Sequence, residues 1–255
     1  MGRPWMIDEL AYAGSEHLGP EFVAGYDRKA GYGESTRGGA PGGERSPEGT
    51  GRTDGTDPSD DVSVLRANGL TGTSTLVDLG CGTGRFALAA APHVRHVVAV
   101  DISPAMLMVV RDQARAAELS NLDCVQAGFL SYQHDGPPAD AVYTRNALHQ
   151  LPDFWKALAL DRIAGVLRPG GLLRIRDLIF DFTPSTADAV IDDWIAGASD
   201  DPSRGYTRDD FVEHLRSEFS TFRWLFEPML AAAGFKILTA DFRRSVYGAY
   251  TCVRL

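Results

Sequence analysis

Residues 77–84, which read VDLGCGTG, contain the first residues whose types and spacing indicate chemistry. Gly80, Gly82 and Gly84 follow a predicted strand and precede a predicted helix. Glycine allows positive φ and a close approach of the backbone to a ligand, and a helix N-terminus offers free N–H groups to an anion. A phosphate would suit such a loop, but Asp78 argues against one, because its carboxylate repels phosphate and attracts an ammonium group.

Two further features separate a dinucleotide from other ligands. The spacing is G-x-G-x-G, whereas the dinucleotide fingerprint is G-x-G-x-x-G, whose last glycine would fall on Arg85. Asp101 ends the next predicted strand, where its carboxylate can accept hydrogen bonds from both hydroxyls of a ribose. A ligand with a ribose, an ammonium group and a carboxylate but no phosphate fits all of these features. S-adenosylmethionine is such a molecule.

The elements that must position these residues alternate along the chain. Strands are predicted at 74–80, 95–101, 122–128, 139–146 and 172–180, with helices between them and a final pair of strand-like runs from residue 235 onward. This alternation predicts an α/β fold with a mostly parallel sheet covered by helices on both faces. The final pair predicts an antiparallel hairpin at the end of the chain.

The chain divides into segments of different composition. Residues 1–30 are predicted to form an N-terminal helical segment, whose Tyr26 is a candidate cover for the cofactor. Residues 31–61 are rich in glycine and polar residues, so they cannot bury enough apolar surface to offset the entropy of ordering, and we predict a disordered insertion. Residues 62–255 form the predicted main domain. Two helical pieces interrupt its strand–helix rhythm at about 181–219.

From about Ser74 to Leu255 the sequence resembles the class I S-adenosylmethionine-dependent methyltransferases. VDLGCGTG, VVAVDISPAML, ADAVYTRNALHQLPD and LRPGGLLRIRD match, in order, the first motif, the second strand, the fourth-strand region and the loop into strand five. The resemblance implies a Rossmann-like, seven-stranded sheet whose last strand runs antiparallel, with helical additions that serve as a lid. It also implies S-adenosyl-L-methionine as the cofactor.

The resemblance also implies which residues contact that cofactor. The methionine end would be held by Asp78 and the loop residues Gly80, Cys81, Gly82 and Gly84, and its pocket would be shaped by Asn146. The ribose would be bound by Asp101, and the adenine site would be lined by Ile102, Met106, Gly128 and Phe129. Many members carry an acidic residue after a glycine at the end of strand three. Phe129 stands in that place here, so the usual acidic contact to the adenine amino group is missing, and stacking or a backbone contact could replace it.

The sulfonium of this cofactor already activates its methyl group, so transfer is a direct displacement that needs alignment and exclusion of water. A general base is needed only for an acceptor that is protonated. His149, after the fourth strand, is the candidate base, although we favour a packing role for it. Asp177 could equally face a substrate or pair with an arginine. His93 and His96 have no further ligands nearby, so no metal site is predicted.

The aromatic residues after strand five indicate the acceptor. Trp194, Tyr206, Phe222 and Trp224 are predicted to contribute to an apolar lid over a small organic molecule. Methylation of nucleic acid or protein is an alternative, as is a non-catalytic module that only binds S-adenosylmethionine. A nicotinamide-dependent dehydrogenase fits least well, because of the loop spacing and Asp78.

Charge and cysteine content restrict the partners and the compartment. The formal net charge of −9 lacks the basic footprint of a nucleic-acid-binding protein. No apolar run approaches the ~20 residues of a membrane span. The three scattered cysteines predict reduced thiols and a cytoplasmic location. The oligomeric state stays open.

Overall fold

The computed structural model describes residues 4–14, 19, 23, 25–27 and 57–255. Of the predicted N-terminal helical segment, the described part contains a 3-10 helix at Glu9–Tyr12 and helical residues around Tyr26. Most of the predicted disordered insertion, residues 31–56, lies outside the described residues.

The strands of the described region form a mostly parallel sheet. They are β1 Thr75–Leu79, β2 His96–Asp101, β3 Leu122–Gln126, β4 Ala139–Arg145, β5 Leu167–Phe180, β6 Thr221–Phe222, β7 Phe235–Arg243 and β8 Tyr247–Arg254. Their order is β3-β2-β1-β4-β5-β8-β7, and the two-residue β6 pairs only with β5. The first five strands are parallel, whereas β8 runs antiparallel to both neighbours. The predicted sheet with an antiparallel last strand is confirmed, and β6 adds a short edge.

Seven α-helices accompany the sheet in the described region. They are α1 Pro58–Ala67, α2 Arg85–Ala90, α3 Pro104–Ala116, α4 Asp153–Val166, α5 Ala187–Ala196, α6 Arg208–Ser217 and α7 Arg223–Ala232. Helix α3 begins at a well-defined cap: Ser103 accepts a hydrogen bond from the Met106 N–H, and Pro104 occupies the first helical position. Within the described residues, none of the helices has the length and apolar character that a membrane crossing requires.

Apolar side chains form one core on each face of the sheet. Ile163 of α4 and Phe226 of α7 belong to the first core, and Leu65 of α1 and Val110 of α3 belong to the second. The parallel strands therefore have both faces covered, which is usual for such sheets. The carboxyl ends of the strands stay accessible to ligands.

Helix α1 corrects the predicted boundary of the disordered insertion. It begins at Pro58, so the last four residues of the predicted segment 31–61 are helical. The reason is Asp61, whose fully buried carboxylate lies 2.9 Å from Arg174 Nε and 3.0 Å from Arg176 Nη1 and accepts a hydrogen bond from Tyr143. These partners attach α1 to the centre of the sheet.

We expect Asp61→Asn to lower the free energy of unfolding by about 3–5 kcal/mol, because two partly or fully buried guanidinium groups lose their counter-charge. Urea denaturation of the full chain measures this. The matched control is Asp60→Asn, an exposed position in the same helical turn, for which we expect a change below about 1 kcal/mol. Equal losses in the two variants would show that the buried network does not anchor the helix.

Candidate active site

The glycine loop between β1 and α2 has a backbone that requires glycine. Gly80, Gly82 and Gly84 have φ values of 75°, 52° and 80°. A Cβ atom would lie 2.6 Å from the Cβ of Ala147 at Gly80, and 2.8 Å from a methyl group of Val110 at Gly84. Positive φ and close neighbours both exclude larger residues. The loop can therefore approach a ligand at Gly80 and Gly82, while Gly84 serves the packing of α2.

Asp101 holds the loops after β1 and β2 together. Its Oδ2 accepts a hydrogen bond from the Gly82 N–H, and its Oδ1 accepts one from the Ser103 N–H, both at 2.8 Å. Burial raises the pKa of Asp101 above its usual range, although these N–H groups oppose the rise. Its carboxylate lines a cavity at the carboxyl ends of the strands.

This cavity is the principal candidate for the cofactor. Its volume is about 760 Å³, including the part that opens to solvent. Eight predicted cofactor residues line it: Gly80, Gly82, Asp101, Ile102, Met106, Gly128, Phe129 and Asn146. The structure thus brings together residues from the ends of four strands.

Asp78 and Cys81 lie on a different side of the loop. They line a smaller cavity of about 490 Å³, which shares Gly80, Gly82 and Asn146 with the first. Asp78 Oδ2 accepts a hydrogen bond from the Ala87 N–H at 3.1 Å, so its carboxylate supports the first turn of α2. Burial, aided by the charge of Asp101, raises the pKa of Asp78 to about 8. Burial also raises the pKa of the Cys81 thiol.

Glu9 is a residue of the cavity that the sequence did not indicate. Its two carboxylate oxygens accept hydrogen bonds of 2.8 Å from the Leu130 N–H and from the Ser131 hydroxyl. A Cβ on Gly128 would lie 2.5 Å from Glu9 Oε1. The N-terminal segment therefore delivers a carboxylate to the end of β3, where the resemblance led us to expect an acid and Phe129 stands instead.

Other described residues of the N-terminal segment also reach the glycine loop. Tyr12 and Tyr26 line the main cavity, and Asp27 accepts a 2.6 Å hydrogen bond from the Thr83 hydroxyl. The sequence suggested Tyr26 as a cover for the cofactor, and the structure brings it to the cavity. No local pattern marks Tyr12 or Glu9, because their partners are distant in sequence.

The tip of β4 carries a strained residue at the cavity wall. Asn146 has a φ of 48°, and its N–H donates to the Arg176 carbonyl at 2.9 Å. Non-glycine residues in this region persist when the surrounding structure holds them, often at functional sites. Arg145 precedes it and lines both cavities. This arginine is a second functional candidate that the sequence did not indicate.

His149 lies behind the cavity wall rather than on its surface. Its buried ring places Nδ1 2.5 Å from Asp177 Oδ1 and Nε2 2.9 Å from Glu218 Oε2. Burial disfavours the imidazolium, but the two carboxylates outweigh it and raise the pKa of His149 to about 9. Asp177 also accepts hydrogen bonds from the N–H groups of Leu148 and His149. This supports the packing role we favoured over a general base.

The insertion after β5 differs from the predicted lid. Trp194 and Tyr206 are buried in a third core, where Trp194 stacks on Phe211 with 4.3 Å between ring centroids. Trp224 is 56% exposed and stacks on Phe222. None of the four predicted lid aromatics is among the described residues that line the main cavity. Trp194 and Tyr206 belong to the third core because the two short helices of the insertion must bury their apolar faces.

His214 of α6 is a buried histidine that the sequence did not indicate. Its side chain packs against His149, with 5.0 Å between ring centroids. His96, by contrast, is partly exposed and pairs with Asp123.

Sheet order, glycine loop and strand-end acid together define the class I methyltransferase fold. A solved magnesium protoporphyrin IX methyltransferase from Synechocystis shares this fold, with a TM-score of 0.62, 14% identity and coverage of 99% of this chain and all of the other. Residues 76–171 match the family model described as a methyltransferase domain, and the described chain has the fold of solved S-adenosylmethionine-dependent methyltransferases.

Curated relatives match about half of the chain or less. An uncharacterized methyltransferase of Mycobacterium tuberculosis (strain H37Rv) is 32% identical over 127 residues, which cover 49% of this chain and 60% of the relative. A demethylmenaquinone methyltransferase of Shouchella clausii is 33% identical over 103 residues, which cover 39% of this chain and 43% of the relative. The chain thus spans less than two thirds of the length of these relatives.

We expect the stability of the protein to depend on pH through Asp78. Its folded pKa of about 8 exceeds the ordinary value of 3.8, so its contribution is fully present below pH 3.8 and is lost as the pH rises through 8. Asp78→Asn should therefore lose less Tm between pH 6 and pH 9 than the unchanged protein. Differential scanning calorimetry measures both slopes, and identical slopes would contradict this assignment.

Proposed function

We propose that this protein transfers the methyl group of S-adenosylmethionine to a small organic acceptor by direct displacement. The observation that carries the proposal is the joint position of the glycine loop and Asp101 on one cavity at the strand ends. The Shouchella clausii relative is a demethylmenaquinone methyltransferase, which supports an acceptor of small-molecule size. The formal net charge of −9 disfavours a nucleic-acid acceptor.

In this proposal the cofactor spans the whole cavity. Asp101 accepts hydrogen bonds from the ribose hydroxyls, while Ile102, Met106 and Phe129 contact the adenine faces. The methionine end lies toward Gly80 and Asn146, and the small cavity beside Asp78 and Cys81 adjoins it.

The guanidinium of Arg145 is the group we assign to the methionine carboxylate. It borders both cavities at the tip of β4, and a guanidinium binds a carboxylate through charge-assisted hydrogen bonds. This residue would fix the end of the cofactor opposite the adenine. The sulfonium between the two ends would then be held in place.

The N-terminal segment is proposed to cover the part of the cavity that binds the methyl acceptor. Tyr12 and Tyr26 offer aromatic surface on the main cavity, beside Gln150. Aromatic walls exclude water and orient an organic acceptor, which is what a displacement at an activated methyl requires. His149 is not needed as a base, because both of its ring nitrogens are engaged by carboxylates. A cytoplasmic location, suggested by the cysteines, stays part of this proposal.

The direct test is incubation of the protein with methyl-labelled S-adenosylmethionine and a metabolite extract of the host, with mass spectrometry of the products. We expect one labelled small molecule together with S-adenosylhomocysteine. The control is Asp101→Ala, which removes the ribose acceptor and should weaken cofactor binding roughly 10- to 100-fold, the loss expected for hydrogen bonds to a charged group.

Two results would contradict the proposal in different ways. Unchanged cofactor affinity of Asp101→Ala in calorimetry would remove Asp101 from the site. Bound S-adenosylmethionine that never becomes S-adenosylhomocysteine with any extract would instead favour a non-catalytic binding module.

Glu9 is proposed to supply the missing contact to the adenine amino group. Its carboxylate lies beside Gly128 and lines the cavity. Each carboxylate oxygen can accept a second hydrogen bond, so the bonds from Leu130 and Ser131 leave capacity for an amino group. An acid from outside the sheet would then replace the usual one at the end of β3.

We expect Glu9→Ala to reduce the preference for adenine over hypoxanthine by at least about ten-fold, because an unpaired carbonyl of hypoxanthine repels Glu9 whereas an amino group donates to it. Calorimetry with S-adenosylhomocysteine and S-inosylhomocysteine measures the ratio of affinities. If Glu9 only orders the N-terminal segment, both affinities will fall by the same factor.

A further inference from the structure

The buried polar cluster behind the cavity wall combines residue types and spacing that suit a metal ion. His149 Nε2, His214 Nδ1 and a carboxylate oxygen of Glu218 lie within 4.8 Å of one another. The rings of both histidines are almost fully buried, and the Glu218 side chain is 10% exposed. One oxygen, Glu218 Oε2, contacts both ring nitrogens.

The other nitrogen of each ring is held by a second polar group. His149 Nδ1 lies 2.5 Å from Asp177 Oδ1, and His214 Nε2 lies 2.7 Å from the Ser220 hydroxyl. Asp177 is itself fixed by hydrogen bonds from backbone N–H groups. Metal-binding histidines characteristically have such an outer partner, which fixes the ring and leaves the inner nitrogen for the ion.

We propose that His149, His214 and Glu218 bind one divalent transition-metal ion of the zinc type. Two imidazole nitrogens and one carboxylate oxygen are a ligand set that zinc accepts in tetrahedral geometry. Around an ion with tetrahedral bonds near 2.0 Å, the ligand atoms lie about 3.3 Å from one another. Small side-chain shifts would bring the three ligand atoms to this separation. The expectation of no metal considered only His93 and His96 and did not include this cluster.

An ion bound here would take the place of the protons that the two rings share with the carboxylates. Histidines are neutral when they bind a metal, so a divalent ion would balance the negative charges of Asp177 and Glu218. Lys156 lies nearby, where its ammonium group pairs with Asp153 at 2.9 Å and donates to the Phe219 carbonyl.

The ion would act as a structural clamp between the insertion and the cavity wall. His214 lies in α6 and Glu218 directly follows it, whereas His149 lies in the 3-10 helix at Leu148–Gln150. Gln150 lines the cavity, and its Nε2 lies 3.3 Å from His149 Nε2. The clamp would fix this wall without touching the cofactor, so the inference is independent of the methyl acceptor.

The test uses the full chain after treatment with a chelator, titrated with Co²⁺ and Zn²⁺. We expect one Co²⁺ per chain with the visible absorption of tetrahedral cobalt, displacement of that signal by Zn²⁺, and a rise in Tm on Zn²⁺ addition. Absence of a stoichiometric tetrahedral signal in the unchanged protein would overturn the proposal, whatever the variants do.

The variants separate this cluster from surface histidines. Glu218→Gln and His214→Gln keep hydrogen-bonding capacity, and each should lose the cobalt signal and the Zn²⁺-dependent rise in Tm. His93→Ala, at an exposed histidine, is the matched control and should keep both. Equal binding in Glu218→Gln, confirmed as folded by circular dichroism, would show that the ion sits elsewhere and that the cluster is a hydrogen-bonded core.

Discussion

The pair of hydrogen bonds at Asp101 is the interaction on which the cofactor site depends. A single carboxylate accepts from Gly82 in the loop after β1 and from Ser103 at the start of α3. It sets the distance between the two loops that bound the cavity. The same buried oxygens remain on the cavity surface, so the group that shapes the site also offers acceptors to a ribose. The positive φ of Gly82 lets its N–H point at this carboxylate.

Local sequence determines much of this arrangement, which is why it could be predicted. The alternation of strands and helices, the final hairpin, the glycine loop and Asp101 each follow from a short local pattern. Parallel strands place their carboxyl ends at one edge of a sheet, so strand-end residues converge even without a known three-dimensional structure. Ile102, Met106 and Asn146 reach the cavity for this reason.

Long-range contacts could not be predicted in the same way. Glu9 contacts Leu130 and Ser131 across more than a hundred residues, and Asp61 contacts Arg174 across a similar distance. A lone carboxylate in a polar segment carries no periodic signal. The predicted disordered insertion ended four residues too late, because Asp61 is a polar residue that is nevertheless buried. Composition alone does not reveal a paired charge in a core.

The aromatic insertion shows a different limit of sequence reasoning. Its aromatic side chains were predicted to form a lid because apolar residues in an insertion must pack against some surface. The sequence pattern does not show which surface that is. Trp194 donates a hydrogen bond to Tyr247 of β8 and stacks on Phe211 of α6, so α5 and α6 pack together on the sheet end. Burial of these rings attaches the insertion to β5 and β8 through a shared third core.

The insertion contacts the wall of the cavity, although its predicted lid aromatics do not line the cavity. Helix α6 contributes Phe211 to the third core. Its His214 packs against His149 in the 3-10 helix after β4. The same short helix connects His149 to Gln150, and Gln150 faces the cavity. Any change in how α6 packs must therefore move or strain the cavity wall, because His149 is held between Asp177 of β5 and Glu218 of the insertion. The insertion thus shapes the site by positioning its wall, while the N-terminal segment contributes the residues that face it.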